Sequence, residues 1–122
     1  MMRSIAGVLA LILMVFTPSA QAGRVGEFKW VPAAGAAITK MLSDRTVEFE
    51  GGKIQQFNAD GSTLYDDQPG KWRVQGDQYC SLWPPAGRWT CYAVERGSGV
   101  SDLLRFIAPD GTATTGLFTS RR

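Results

Sequence analysis

Tyr79-Cys80-Ser81-Leu82-Trp83-Pro84-Pro85-Ala86-Gly87-Arg88-Trp89-Thr90-Cys91-Tyr92 reads nearly the same in both directions. Both cysteines of the 122-residue chain sit symmetrically about its Pro-Pro-Ala-Gly centre. Folding the stretch at Pro84–Gly87 sets Trp83 opposite Arg88, and therefore Tyr79 opposite Tyr92 and Cys80 opposite Cys91. That is the layout of a β-hairpin with a cross-strand disulfide, a bond that belongs to an oxidising compartment. Closing so short a loop contributes about 3 kcal/mol on the chain-entropy model. Small domains are stable by only about 5–15 kcal/mol, so the staple is a large share. A redox pair would take the form Cys-x-x-Cys, which is absent, so the pair is read as structural.

The register also sorts the hairpin into faces. Cys80, Leu82, Trp89, Cys91 and Ala93 share one; Tyr79, Ser81, Trp83, Thr90, Tyr92 and Val94 share the other. With the disulfide face turned inward, Tyr79, Trp83 and Tyr92 form an outward aromatic strip, and Arg88 can lie against Trp83. These four are the candidate binding surface, because contiguous exposed aromatics offer large contact area at low entropy cost. The competing arrangement packs this face beneath the helix or the N-terminal lead-in. Both stay open at the level of sequence.

The N-terminus points to the same compartment. Arg3, an apolar run from Ile5 to Phe16, Pro18 and an Ala20-Gln21-Ala22 ending are the parts of a secretory signal peptide. The run is shorter than the roughly 20 residues a membrane span needs, and no lipidation cysteine follows it. The expected organisation is a signal peptide over 1–22 cleaved after Ala22, an exposed lead-in over 23–32 with Trp30 as an anchor, and one disulfide-stapled β domain over 33–122. No stable membrane insertion is expected after cleavage, and the location is periplasmic or secreted.

Ala33–Leu42 is rich in helix formers and places Ile38, Met41 and Leu42 on one face, which predicts one short N-terminal helix. From Thr46 onward the pattern is β. Thr46–Glu50 alternates, with Val47 and Phe49 on one side and Glu48 and Glu50 on the other. Gly51-Gly52 reads as a two-residue hairpin turn into Lys53–Phe57, and Asn58–Gly61 turns into Ser62–Tyr65. Gly70–Gln75 sets Trp72 and Val74 against Lys71, Arg73 and Gln75. The cysteine hairpin, Leu103–Ala108 and Thr112–Phe118 complete about eight strands joined by Gly, Asp, Asn and Pro turns. Such short connections give a mainly β fold, an antiparallel up-and-down meander closed into a small barrel or half-barrel.

The run Phe57-x-x-Asp60-Gly61-Ser62, then Gly70-x-Trp72-x-Val74-x-Gly76-Asp77, then Cys80 and Cys91, resembles small lipocalin-like β-domains of uncharacterised secreted bacterial proteins. The resemblance covers roughly residues 38–118 and implies a β-barrel-like fold in a secreted protein. In lipocalins the Gly-x-Trp lies on the first strand, whereas here it falls near the middle of the chain.

Chemistry is thinly represented. With no histidine, a Ser-His-Asp triad, a Cys-His pair and imidazole-based metal sites are excluded, and no metal site or cofactor is expected. The net charge of +2, with no basic stripe, argues against nucleic acid. Glu48 with Glu50, and Asp66 with Asp67, are the available paired carboxylates, but Glu48 and Glu50 alternate with core residues and point to water. Asp60-Gly61 and Asp110-Gly111 are better read as turns than as calcium loops. The favoured expectation is a non-enzymatic domain that binds a protein, glycan or small apolar ligand, or serves the cell envelope. The alternatives are a periplasmic hydrolase inhibitor acting through the Pro84–Gly87 loop or the aromatic strip, and a small carboxylate-dependent hydrolase.

Overall fold

Alternation with a period of two drives the chain into strands, and tight turns lay each strand beside its predecessor. The computed structural model of the protein describes residues 28–121. Its elements are β1 (Trp30–Pro32), α1 (Gly35–Leu42), β2 (Arg45–Phe49), β3 (Ile54–Phe57), β4 (Ser62–Tyr65), β5 (Gln68–Gln75), β6 (Gln78–Leu82), β7 (Thr90–Gly97), β8 (Val100–Ile107) and β9 (Ala113–Arg121). The strand order is β1-β7-β6-β5-β4-β3-β2-β9-β8, and β8 returns to pair with β7. Strands β2 to β9 thus close as an eight-stranded antiparallel barrel, with β1 as one extra strand. Closure gives every one of these strands a neighbour on both sides, and only the end of β7 beyond Ala93 is left unpaired by β6.

The cysteine hairpin has the expected register: Tyr79 opposes Tyr92, Cys80 opposes Cys91 and Ser81 opposes Thr90. The cysteines are bonded, with S–S 2.03 Å. The faces are the reverse of an inward disulfide. Tyr79 (3% exposed), Ser81 (2%) and Val94 (2%) point into the barrel. The cause is the next strand over. Val74 opposes Tyr79 and Trp72 opposes Ser81, so the core positions of β5 carry those of β6 inside with them. The disulfide is left on the outer wall. Cys80 is still fully buried there, beside Arg73, its partner on β5, whose guanidinium carbon lies 4.0 Å from the Trp89 ring centroid.

Three turns share one design. Phe49, Asn58 and Ala108 donate their N–H groups to the carbonyls of Lys53, Ser62 and Thr112, and accept in turn from the N–H of Gly52, Gly61 and Gly111. Those glycines have φ of +93°, +94° and +92°, a conformation costly for any residue with a Cβ. The Gly51-Gly52 turn therefore spans Glu50–Gly52, one residue more than the dipeptide suggests. Asp60 and Asp110 accept the N–H groups of Ser62 and Thr112 at 2.9 Å each, which holds their carboxyls below the usual range and makes them turn residues.

Helix α1 buries Ile38 and Leu42 completely and packs Met41 against the core. It begins at Gly35 rather than Ala33, because the Ala33 N–H donates to the Val94 carbonyl (2.9 Å) in extended backbone. No side chain of its own caps it; the Asp77 carboxylate accepts the Gly35 N–H at 2.8 Å. The helix lies against β5, β6 and β2 and closes the end where β5 stops and β6 and β2 start.

The lead-in is partly a strand. Trp30–Pro32 pairs with Gly97–Glu95 on the edge of β7 that β6, reaching only Ala93, leaves unpaired. The pairing satisfies backbone groups of β7 that β6 does not reach. Trp30 does anchor the segment, half-buried with the Arg105 guanidinium 4.4 Å from its ring centroid. The expected signal peptide over 1–22 lies outside the described residues. No helix among those described is long and apolar enough to cross a membrane.

Candidate functional site

With α1 across one end, the opposite end of the barrel is where β2, β4 and β6 finish and β3 and β5 begin. A cup of about 340 Å³ opens there. Its walls are aromatic. Trp83 meets Tyr65 edge-on at 5.9 Å between ring centroids, Tyr65 lies 6.1 Å from Phe49, and Tyr92 stacks on Tyr79 at 5.6 Å. Gly70 makes room for this arrangement, because a Cβ there would collide with the Trp83 ring.

The floor is polar and tightly wired. Gln55, only 3% exposed, donates from Nε2 to Thr63 Oγ1 (2.9 Å) and to the Tyr79 hydroxyl (3.0 Å). Thr63 Oγ1 donates to the Gln56 carbonyl at 2.7 Å, so it must accept from Gln55, which fixes the orientation of the Gln55 amide. Both amide hydrogens are used, and no described donor is matched to the Gln55 carbonyl oxygen. Trp83 Nε1 donates to Ser81 Oγ at 3.1 Å, tying the wall to the floor. No carboxylate, lysine or arginine lines the cup.

Burial pushes the Tyr79 phenol up to about 12, against the opposing hydrogen bonds of Ser81 and Gln55. An unfolded tyrosine ionises near 10. The stability from keeping Tyr79 neutral is complete below pH 10 and is lost as pH rises towards 12. The two-unit difference amounts to about 2–3 kcal/mol. Urea unfolding from pH 8 to 11 is expected to show this loss above pH 10, and Tyr79→Phe is expected to flatten it. Equal slopes for the two proteins would remove Tyr79 from the effect. Tyr79→Phe also strips Gln55 of an acceptor, at a cost of about 1–3 kcal/mol at neutral pH.

Of the four candidate surface residues, Tyr79, Trp83 and Tyr92 are brought together, but inside the mouth rather than on the outer wall. Arg88 stays apart, exposed beyond the Pro84–Gly87 loop; the cation–aromatic contact of this hairpin is Arg73 on Trp89. Period-two counting finds what the aromatic strip alone misses: stepping back from Phe57 reaches Gln55, and stepping up from Thr63 reaches Tyr65.

The carboxylates lie elsewhere. Glu48 is exposed on the outer wall opposite Leu117, and Glu50 sits in a turn. Asp66 accepts the Ile54 N–H at 3.0 Å and lies 3.3 Å from Lys53 Nζ, and the backbone bond first, then Lys53, holds its carboxyl below the usual range. Among the described residues no three acidic or cysteine side chains gather to hold a metal ion. Comparison with known proteins found no matching family model, no matching curated protein and no matching solved structure.

Proposed function

We propose that this protein is an extracytoplasmic, lipocalin-like carrier or sensor that takes a small, uncharged, largely planar molecule into the mouth of its barrel. The observation that carries this reading is the cup itself: aromatic walls, a polar floor and no charged lining, in about 340 Å³. Sites for small molecules are concave, mostly apolar and begin at about this size. The unmatched Gln55 carbonyl oxygen suits a hydrogen-bond donor at the tip of the ligand, and the rings suit its flat body. An ionic ligand would lose its hydration with no counter-charge in return.

Binding is favoured over hydrolysis by the carboxylates. A general acid needs a raised pKa, and Asp66 is held in the opposite direction. The extracytoplasmic location rests on the Cys80–Cys91 bond together with the signal-like residues 1–22. Exported protein is expected to begin at Gly23 and to carry no free thiol on mass analysis.

The test is titration with a neutral fluorescent naphthyl probe, reading tryptophan quenching and probe emission. Wild-type protein is expected to bind in the micromolar range. Trp83→Ala and Gly70→Ala are expected to weaken binding about tenfold or more, because each disturbs the same wall. Uptake that neither change affects would place the ligand elsewhere. The inhibitor reading keeps one point in its favour: Pro84, Pro85, Ala86 and Gly87 are all exposed beside the mouth. It requires Arg88→Ala, or replacement of that loop, to abolish capture of a hydrolase while probe binding persists.

A further inference from the structure

At the helix end a second concavity of about 590 Å³ lies between β1, α1 and the ends of β2 and β9. It is chemically unlike the mouth. Val31, Met41 and Phe118 form an apolar side, and Lys40, Arg45 and Arg96 stand around it with Asp102 as the one carboxylate in the lining. None of the three cations is ion-paired with a described residue; the ion pairs among the described residues, Lys53–Asp66 and Arg105–Glu95, lie outside this lining. Arg45 is held by a ring instead, its guanidinium carbon 4.2 Å from the Phe118 centroid. Its Nε is buried with no hydrogen-bond partner among the described residues.

A buried arginine Nε with no acceptor among the described residues is an unfinished arrangement, since buried polar groups are almost always matched. Apolar surroundings strengthen any anion contact made there, and the guanidinium fork suits carboxylate or phosphate oxygens. We propose that this cleft binds a free single-chain amphiphile with an anionic head. The carboxylate or phosphate meets Arg45 and Arg96, with Lys40 adding charge, and the alkyl chain runs along Val31, Met41 and Phe118. The site is independent of the mouth cup, which has no charge to offer such a head.

Calorimetric titration of the full chain tests this with three probes: octyl phosphate, octanol and inorganic phosphate. Octyl phosphate is expected to bind, with octanol and phosphate each weaker by tenfold or more. Arg96→Gln and Arg45→Gln are expected to weaken octyl phosphate about tenfold, as loss of a charged hydrogen-bond donor does. Asp102→Asn is expected to tighten it severalfold, a gain that no folding defect produces. Trp83→Ala, at the far end, is expected to leave it unchanged. The proposal is overturned by octanol binding as well as octyl phosphate, by Asp102→Asn weakening the complex, or by Trp83→Ala abolishing it. It is equally overturned if the protein ignores monomeric octyl phosphate and binds only vesicles containing phosphatidylglycerol, the mark of a membrane surface.

Discussion

Phe57→Ala is expected to destabilise the barrel by about 3–5 kcal/mol, the range for an aromatic side chain deleted from a closed core. Phe57 is fully buried and contacts three other rings: Trp72 at 5.7 Å, Tyr79 at 5.6 Å and Phe106 at 6.2 Å between centroids. The first two meet it edge-on, the favourable geometry for aromatic pairs. Counting Phe57 itself, the four rings come from four different strands, so the barrel cannot collapse around the void without breaking its pairing. For a domain of this size the melting midpoint should drop by more than roughly 12 °C. Phe57→Leu keeps most of the volume and should lose much less. A loss below about 1 kcal/mol for Phe57→Ala would show that the interior is not packed around this residue.

Removing the disulfide by Cys80→Ala with Cys91→Ala is the second large effect, at about 3 kcal/mol for a loop closed across 11 residues. Its character should differ from that of Phe57→Ala. The bond lies on the outer wall, and strands β6 and β7 keep their neighbours β5 and β8 without it. The protein is therefore expected to remain folded at low temperature and to bind the naphthyl probe with unchanged affinity while melting earlier. Chemical reduction of the wild type should reproduce the shift. An unaltered melting temperature would mean that the bond contributes nothing to the fold.

The barrel was legible wherever alternation and turn chemistry agreed. Val47 with Phe49, Trp72 with Val74, and the Asp-Gly turns locate strands within a few residues, and the mirrored cysteines give the β6–β7 register. What alternation cannot supply is direction when both faces of a hairpin are rich in large residues. Leu82 and Trp89 look as much like core as Tyr79 and Trp83 do. The deciding clue lies one strand away, where the tight turn at Gly76-Asp77 ties Val74 to Tyr79 and so draws the tyrosine inward. Trp30–Pro32 escaped because a short segment ending in proline carries no periodicity, and only the vacant edge of β7 makes it a strand. Gln55 escaped because a buried glutamine reads as a surface residue until its partners Thr63 and Tyr79 are seen beside it.

The helix that plugs one end gives the barrel a dead-end interior. An occupant can depart only by the route it arrived, and a second molecule cannot push it through from behind. Turnover of the ligand proposed for the cup should therefore be dissociative. Once a bound probe is chased with excess competitor, its off-rate should stay constant however much competitor is added.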